Sequence, residues 1–259
     1  MPYWRPAIEL KFSGIGEYAI RSALRRAGYK RYVALRKPPI SEKNRQLRLE
    51  FALEHLNWTD EQWDAILWSD ETWVTPGSHR KTWVTRKEDE ALDLTCILER
   101  ERKKKGWMFW GCFSGKAGKG PGIFWEKDWG SISGDTYQAH TIPIVHGWMR
   151  LKPGHIFMQD GAPGHAKGET LADLIERGIK KLNWPPFSPG LNPIENVWNW
   201  MKAWIWNHYP YDSMSYDQLR KAVKDAWEAI PEDWLIELVR SMRERCQAVI
   251  NARGMHTKN

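Results

Sequence analysis

The spacing of apolar positions changes along the chain and divides it into helical and strand-like stretches. Residues 14–28, GIGEYAIRSALRRAG, put Ile20 and Leu24 on one side of a predicted helix and Arg21, Arg25 and Arg26 on the other, with Gly28 as its stop. A basic extension, GYKRYVALRKPP, carries Lys30, Arg31, Arg36 and Lys37 and ends at Pro38-Pro39. Ser41 is placed to cap a next helix with Leu47, Phe51 and Leu56 on its apolar side. Thr59-Asp60-Glu61-Gln62 is a capping-box pattern opening a short helix through Trp63. The period then shortens. Residues 65–74 read as a strand, with 81–85 as its hairpin partner across Pro76-Gly77, and 107–113 and 155–159 read as further strands. Residues 99–105 read as a charged turn. The glycine- and lysine-rich stretch 114–122 reads as a hairpin loop, and it lacks the GKS or GKT ending of a phosphate-cradling loop. Residues 133–149 look helical, with an interruption at Pro143. Ser215-Tyr216-Asp217-Gln218 opens a helix carrying Leu219, Val223, Ala226 and Trp227, and a last helix from Pro231 carries Leu235, Leu238, Val239 and Met242.

Between these lies the stretch 157–200, where the chemistry gathers. Phe157, Met158 and Gln159 run into Asp160, and the turn Gly161-Ala162-Pro163-Gly164-His165 leads to a helix, a strand-like IKKL and the proline-rich WPPFSPGLNP. A carboxylate at the carboxyl end of a strand occupies the position where open α/β sheets bind ligands, although an Asp there also stabilises a turn. Asn192-Pro193-Ile194-Glu195 opens another helix, whose buried stripe is Val197, Trp198, Met201 and Ile205. Asn192 is a good N-cap, and Glu195 then fits the third position of a capping box. The stiff proline-built approach fixes where that helix begins and holds Glu195 at its edge. Upstream, WSDETW offers a third acid. Alternation along a strand puts Asp70 and Glu71 on opposite faces, so only one of them joins a given site. His165 reads as a cap for the following helix, with metal or phosphate contact as the alternative. Carboxylates converging in a partly buried site repel unless a cation lies between them. Mg²⁺ accepts a few carboxylate oxygens plus water and phosphate, and paired ions about 3.5–4 Å apart suit attack on a phosphodiester.

Composition refines this. The length of 259 residues suits one large domain with an appendage or two small ones. Several of the 18 Trp, among them Trp68, Trp107, Trp110 and Trp198, fall in core patterns. The net charge of +7 is concentrated in the first 50 residues, which hold 12 Lys/Arg against 4 Asp/Glu. A basic arm on a balanced body fits a phosphate-contacting segment. Cys96, Cys112 and Cys246 show no CxxC spacing, which argues against a disulfide framework or a zinc site. The apolar run at 107–113 is too short to span a bilayer, and no signal peptide is evident, so an intracellular protein without membrane association is expected.

The order WSDET, QDGAPGH and WPPFSPGLNPIENVW resembles the Tc/mariner group of DDE superfamily transposases. The 34 residues between Asp160 and Glu195 match the spacing typical of the Tc branch. LRRAGY, SEKNRQLRLEFA, WGCFS and SMRERCQAVINARG extend the likeness from about Ile20 to the C-terminus. The resemblance implies an α/β, RNase H-like mixed sheet flanked by helices, with an N-terminal helical arm and C-terminal helices. It assigns Asp70, Asp160 and Glu195 as the catalytic, metal-binding triad, which chooses Asp70 over Glu71. It implies Mg²⁺ or Mn²⁺, two ions, as cofactor. The implied activity is cut-and-paste movement of DNA: hydrolysis at the element's end, then attack of the freed 3′-hydroxyl on target DNA. The implied partners are terminal inverted repeats, target DNA and further copies of the chain as a homodimer or larger assembly, in the nucleus. Family members begin with two helix-turn-helix modules, whereas only the final helix of the second is evident here. Residues 1–38 are therefore expected to be a truncated remnant of that DNA-binding domain, 39–64 a helical linker and 65–259 the catalytic domain. The alternative is an inactive DNA-binding relic that uses the basic arm alone.

Overall fold

The computed structural model describes residues 17–28, 40–76, 106–209 and 214–257. The chain divides into two compact units, Met1–Pro39 and Ile40–Asn259. In the first, helix α1 (Glu17–Arg26) ends with Arg25 and Arg26 exposed in its last turn, and Gly28 follows at φ 83°. Arg21 lies on this helix, while Lys30, Arg31, Arg36 and Lys37 fall outside the described residues.

The second unit is built on a mixed sheet of β1 (Ile66–Val74), β2 (Trp107–Ser114), β3 (Gly118–Phe124) and β4 (Ile156–Met158). Its order is β3-β2-β1-β4. β1 runs antiparallel to β2, with Asp70 opposite Gly111, and parallel to β4, with Trp68 opposite Met158. The strand-like IKKL contributes a single parallel bridge, Lys181 to Phe157. The hairpin partner expected at 81–85 and the charged turn at 99–105 lie outside the described residues. The stretch taken for a loop, 114–122, is largely strand β3. It runs along the sheet edge, where Pro121 removes no ladder bond that matters and glycine is tolerated.

Helices cover both faces. On one lie α2 (Glu42–His55), α3 (Asp60–Asp64), α7 (Ile194–His208), α8 (Tyr216–Glu228), α9 (Glu232–Arg240) and α10 (Met242–Asn251), around a core that includes Trp63, Trp68, Phe109, Trp198 and Trp227. On the other lie α4 (Gly134–His140), α5 (Ile142–Leu151) and α6 (Gly168–Glu176), around Leu67, Trp110, Tyr137 and Phe157. The caps expected at Ser41, Thr59 and Ser215 form, the last two as complete capping boxes. The break expected at Pro143 falls at Thr141, which leaves Pro143 in the first turn of α5 where its missing N–H costs nothing. The last helix is likewise two helices, divided at Ser241.

Two packing features bear on the site. Gly111 lacks the Cβ that would otherwise meet the indoles of Trp227 at 2.8 Å and Trp198 at 2.9 Å, so both rings lie directly on the sheet beside Asp70. On α2, Leu47 is exposed and Arg48 takes the buried face instead. The Arg48 guanidinium donates to the carbonyls of Gly254, Met255 and Phe187 and to Ser188 Oγ, which ties α2, the C-terminal segment and the proline-rich approach together.

Candidate active site

The sheet creates a crevice where β4 stops short. β4 pairs with β1 only as far as Trp68, and continuing that register by two residues sets Asp70 level with Asp160. From β1 onward Asp70 has a neighbour on the β2 side alone, so its other side opens toward the Asp160 turn. Glu195 approaches from above. It lies one helical turn before Trp198, whose indole rests over Gly111, and that contact fixes how far along the sheet the start of α7 sits. The capping box expected at Asn192 does not form. Only its first half is present: Asn192 Oδ1 accepts from the Ile194 amide at 3.4 Å, while Asn192 Nδ2 donates to Asp70 Oδ2 and the Ser69 carbonyl, each at 3.5 Å. The two ends of the side chain serve both partners at once, and no bond returns from the Glu195 carboxylate to complete the box.

The three carboxylates lie within one another's electrostatic reach. Burial pushes the Asp70 carboxyl up to about 8, with Glu71, Glu195 and Asp160 adding to the effect. Burial likewise raises Glu195; Lys202, two turns along the same helix, opposes this, and Asp160 adds to it. Asp160 behaves differently. Burial opposes its ionisation, but hydrogen bonds from His165 and the Ala162 amide prevail and hold the carboxyl below its usual range. Both bonds reach the same oxygen: Ala162 N at 3.0 Å and His165 Nδ1 at 2.7 Å from Oδ1. Burial disfavours charge on the His165 ring, yet Asp160 and Glu71 overcome this and raise it to about 9. Burial lowers the Lys202 ammonium, against the pull of Glu195 and Asp70.

His165 therefore does not cap α6, whose N-cap is Lys167. It touches Asp160 and stands 3.4 Å from Glu71. Asp70 and Glu71 do face opposite sides of β1, but the 161–165 turn wraps past the end of β4, so both acids adjoin the same cluster. Glu71, Lys202 and the Asn192 amide had no signal of their own in the sequence, since each is recruited through tertiary contact; the seven-residue spacing of Lys202 from Glu195 is the one clue available.

Among the described residues, no three His, Cys, Asp or Glu side chains stand close enough as they are to hold a metal ion. The donor chemistry nevertheless fits a hard divalent cation. Carboxylate oxygens predominate, and their mutual repulsion is what a cation relieves. Mg²⁺ is commonly held by one or two carboxylates, with water and substrate phosphate completing its shell.

A family model described as DDE superfamily endonuclease matches residues 65–216, and a helix-turn-helix model described as transposase matches residues 14–57. The Tcb1 transposase of Caenorhabditis briggsae is 31% identical over 244 residues, covering 92% of this chain and 86% of that protein. The Tc1 transposase of Caenorhabditis elegans is 31% identical over 245 residues, with the same coverage. Among solved structures, a Mos1 transposase paired-end complex with left transposon end superposes at a TM-score of 0.76, with 18% identity over 96% of this chain and 74% of that one. A Mos1 mariner paired end complex with Mn superposes at 0.75 with 17% identity, over the same shares of the two chains. These likenesses define an RNase H-like DDE endonuclease fold. The chain belongs to the Tc/mariner group of DDE transposases, a family of metal-dependent DNA transposases.

Proposed function

We propose that this protein moves a DNA element by cut-and-paste transposition, using Asp70, Asp160 and Glu195 as its catalytic and metal-binding acids. The observation that carries the reading is that three acids from separate elements, the middle of β1, the end of β4 and the start of α7, share one electrostatic environment. Two Mg²⁺ or Mn²⁺ ions bound there supply activation of the attacking oxygen and stabilisation of the leaving one. The protein's part is to present oxygens in two states. Asp160 is held ionised by its two donors, while burial disfavours charge on Asp70 and Glu195, a cost that a bound cation would relieve. Lys202, beside Glu195 and Asp70, offers positive charge to a phosphodiester lying across the crevice. The attacking groups are water at the element's end and then the freed 3′-hydroxyl on target DNA.

The basic arm, residues 1–38 with Arg21, Arg25, Arg26, Lys30, Arg31, Arg36 and Lys37, grips terminal-repeat DNA through its phosphates. Residues 39–64 link it to the catalytic domain at 65–259. The paired-end complexes of Mos1 support a working unit of two or more copies on paired DNA ends; a nuclear location is the part of this reading that action on chromosomal DNA would require. Purified protein with Mn²⁺ is expected to nick supercoiled plasmid DNA, and Asp70→Asn, Asp160→Asn and Glu195→Gln each to abolish nicking. Unchanged nicking by any of the three removes that acid from the site. Nicking that needs no divalent ion overturns the reading as a whole.

A further inference from the structure

On the face of the sheet opposite Asp70 lies a group of buried polar atoms that the proposed chemistry does not use. Glu71 and His165 have side chains only 12% and 4% exposed. Glu71 Oε1 and His165 Nε2 are both buried and have no well-formed hydrogen bond, yet they stand 3.4 Å apart. A buried donor and a buried acceptor left unpaired are costly, so the contact they make with each other is the one that offsets their burial. The ring is fixed from further directions. The Tyr137 ring packs on it with centroids 4.1 Å apart, and Gln159 Nε2 donates to the His165 carbonyl at 3.1 Å. Its other nitrogen, Nδ1, meets Asp160 Oδ1 at 2.7 Å.

The geometry of Asp160 gives this chain of contacts a direction. Oδ1 receives both His165 Nδ1 and the Ala162 amide, whereas Oδ2 has no hydrogen-bond partner among the described residues. One oxygen is pinned and the other is left for the crevice. We infer that Glu71 and His165 are a positioning pair: Glu71 sets the ring of His165, and the ring sets the Asp160 carboxylate so that Oδ2 is presented as a metal-binding oxygen. The inference rests on the reading of Asp160 as a metal ligand. Outer partners that orient a ligating group in this way typically change metal affinity by about 10- to 100-fold when removed.

The test is binding of Mn²⁺ alone to the full chain without DNA, followed by the electron paramagnetic resonance signal of free Mn²⁺, with melting temperature recorded for each variant. Asp160→Asn is expected to remove one Mn²⁺ binding event; if it binds as the wild type does, the metal reading fails and the inference falls with it. With Asp160→Asn deficient, His165→Ala is expected to weaken Mn²⁺ by about 10- to 100-fold. His165→Asn, whose amide nitrogen falls near Nδ1, recovers most of that loss. Glu71→Ala weakens binding toward the lower end of the same range, and Glu71→Gln restores it. Wild-type affinity in His165→Ala and Glu71→Ala overturns the inference while leaving the metal reading standing. Should His165→Ala fail to fold, the Glu71 pair decides alone: loss with Ala and rescue with Gln support the positioning role, and equal affinity in both overturns it. A merely structural role would move the melting temperature of these variants without moving their metal affinity.

Discussion

Asp70 lies within β1 and Asp160 just past the end of its parallel neighbour β4, and their surroundings push them in opposite directions. Asp70 is enclosed within β1 with Glu71 and Glu195 nearby, and its donors, the Glu71 amide at 2.8 Å and Asn192 at 3.5 Å, do not offset its burial. Asp160 sits in a turn beyond the strand end, where a free amide and an imidazole converge on one oxygen. The difference in ionisation follows from burial and like charge at Asp70 against the His165 and Ala162 donors at Asp160.

The contrast can be broken most forcefully by neutralising each acid in turn. In metal-free protein above pH 8, Asp70→Asn removes a buried charge that the fold does not pair, and the melting temperature is expected to rise by roughly 3 °C or more. Asp160→Asn deprives the buried His165 of its acceptor and is expected to cost about 1–3 kcal/mol. Shifts of the same sign in thermal melts would show that the two environments are equivalent.

A smaller effect follows from pH. Asp70 has a folded value of about 8 against an ordinary 3.8, so its cost grows as pH rises through that interval and is complete above it. His165, at about 9 against 6.5, contributes stability that is whole below 6.5 and lost as pH climbs to 9. Both slopes point downward between pH 6.5 and 8, where the metal-free protein is expected to lose several degrees, roughly 5 °C, of melting temperature. Asp160, with its lowered value, acts at the other end: its contribution disappears as pH falls below the usual carboxylate range. Added Mn²⁺ should flatten the alkaline slope, and an alkaline slope that Mn²⁺ leaves unchanged would detach Asp70 from cation binding.

Least of all should Asn192→Ala matter. Its three contacts, at 3.4–3.5 Å, are at the limit of a hydrogen bond, and their loss is expected to cost about 1 kcal/mol or less in chemical denaturation. A loss as large as that of Asp160→Asn would mean that Asp70 depends on a donor of its own after all.

Much of this was legible in the sequence. The apolar runs located β1, β2 and β4, and the caps at Ser41, Thr59 and Ser215 were readable because a capping box is closed by residues three apart. β3 was hidden because an edge strand tolerates the glycine, proline and lysine that elsewhere signal a loop. Asn192 was half legible: its oxygen caps the Ile194 amide as the local pattern says, whereas the contact of its nitrogen with Asp70, more than a hundred residues away, leaves no local trace. Alternation correctly separated Asp70 from Glu71 and could go no further. That Glu71 rejoins the cluster depends on the path of the 161–165 turn around the strand end, and no periodicity records such a path.

Among the described residues Arg48 has no acidic partner and instead spreads its donors over four acceptors in segments far apart in sequence. A guanidinium keeps its charge at any physiological pH, so this knot cannot be loosened by protonation. Strain reaching α2 is therefore delivered to the backbone at Phe187, which already sits at φ 53°, a few residues ahead of the helix that bears Glu195. Mechanical load on the segment leading from the basic arm would arrive at one of the three acids without passing through the sheet.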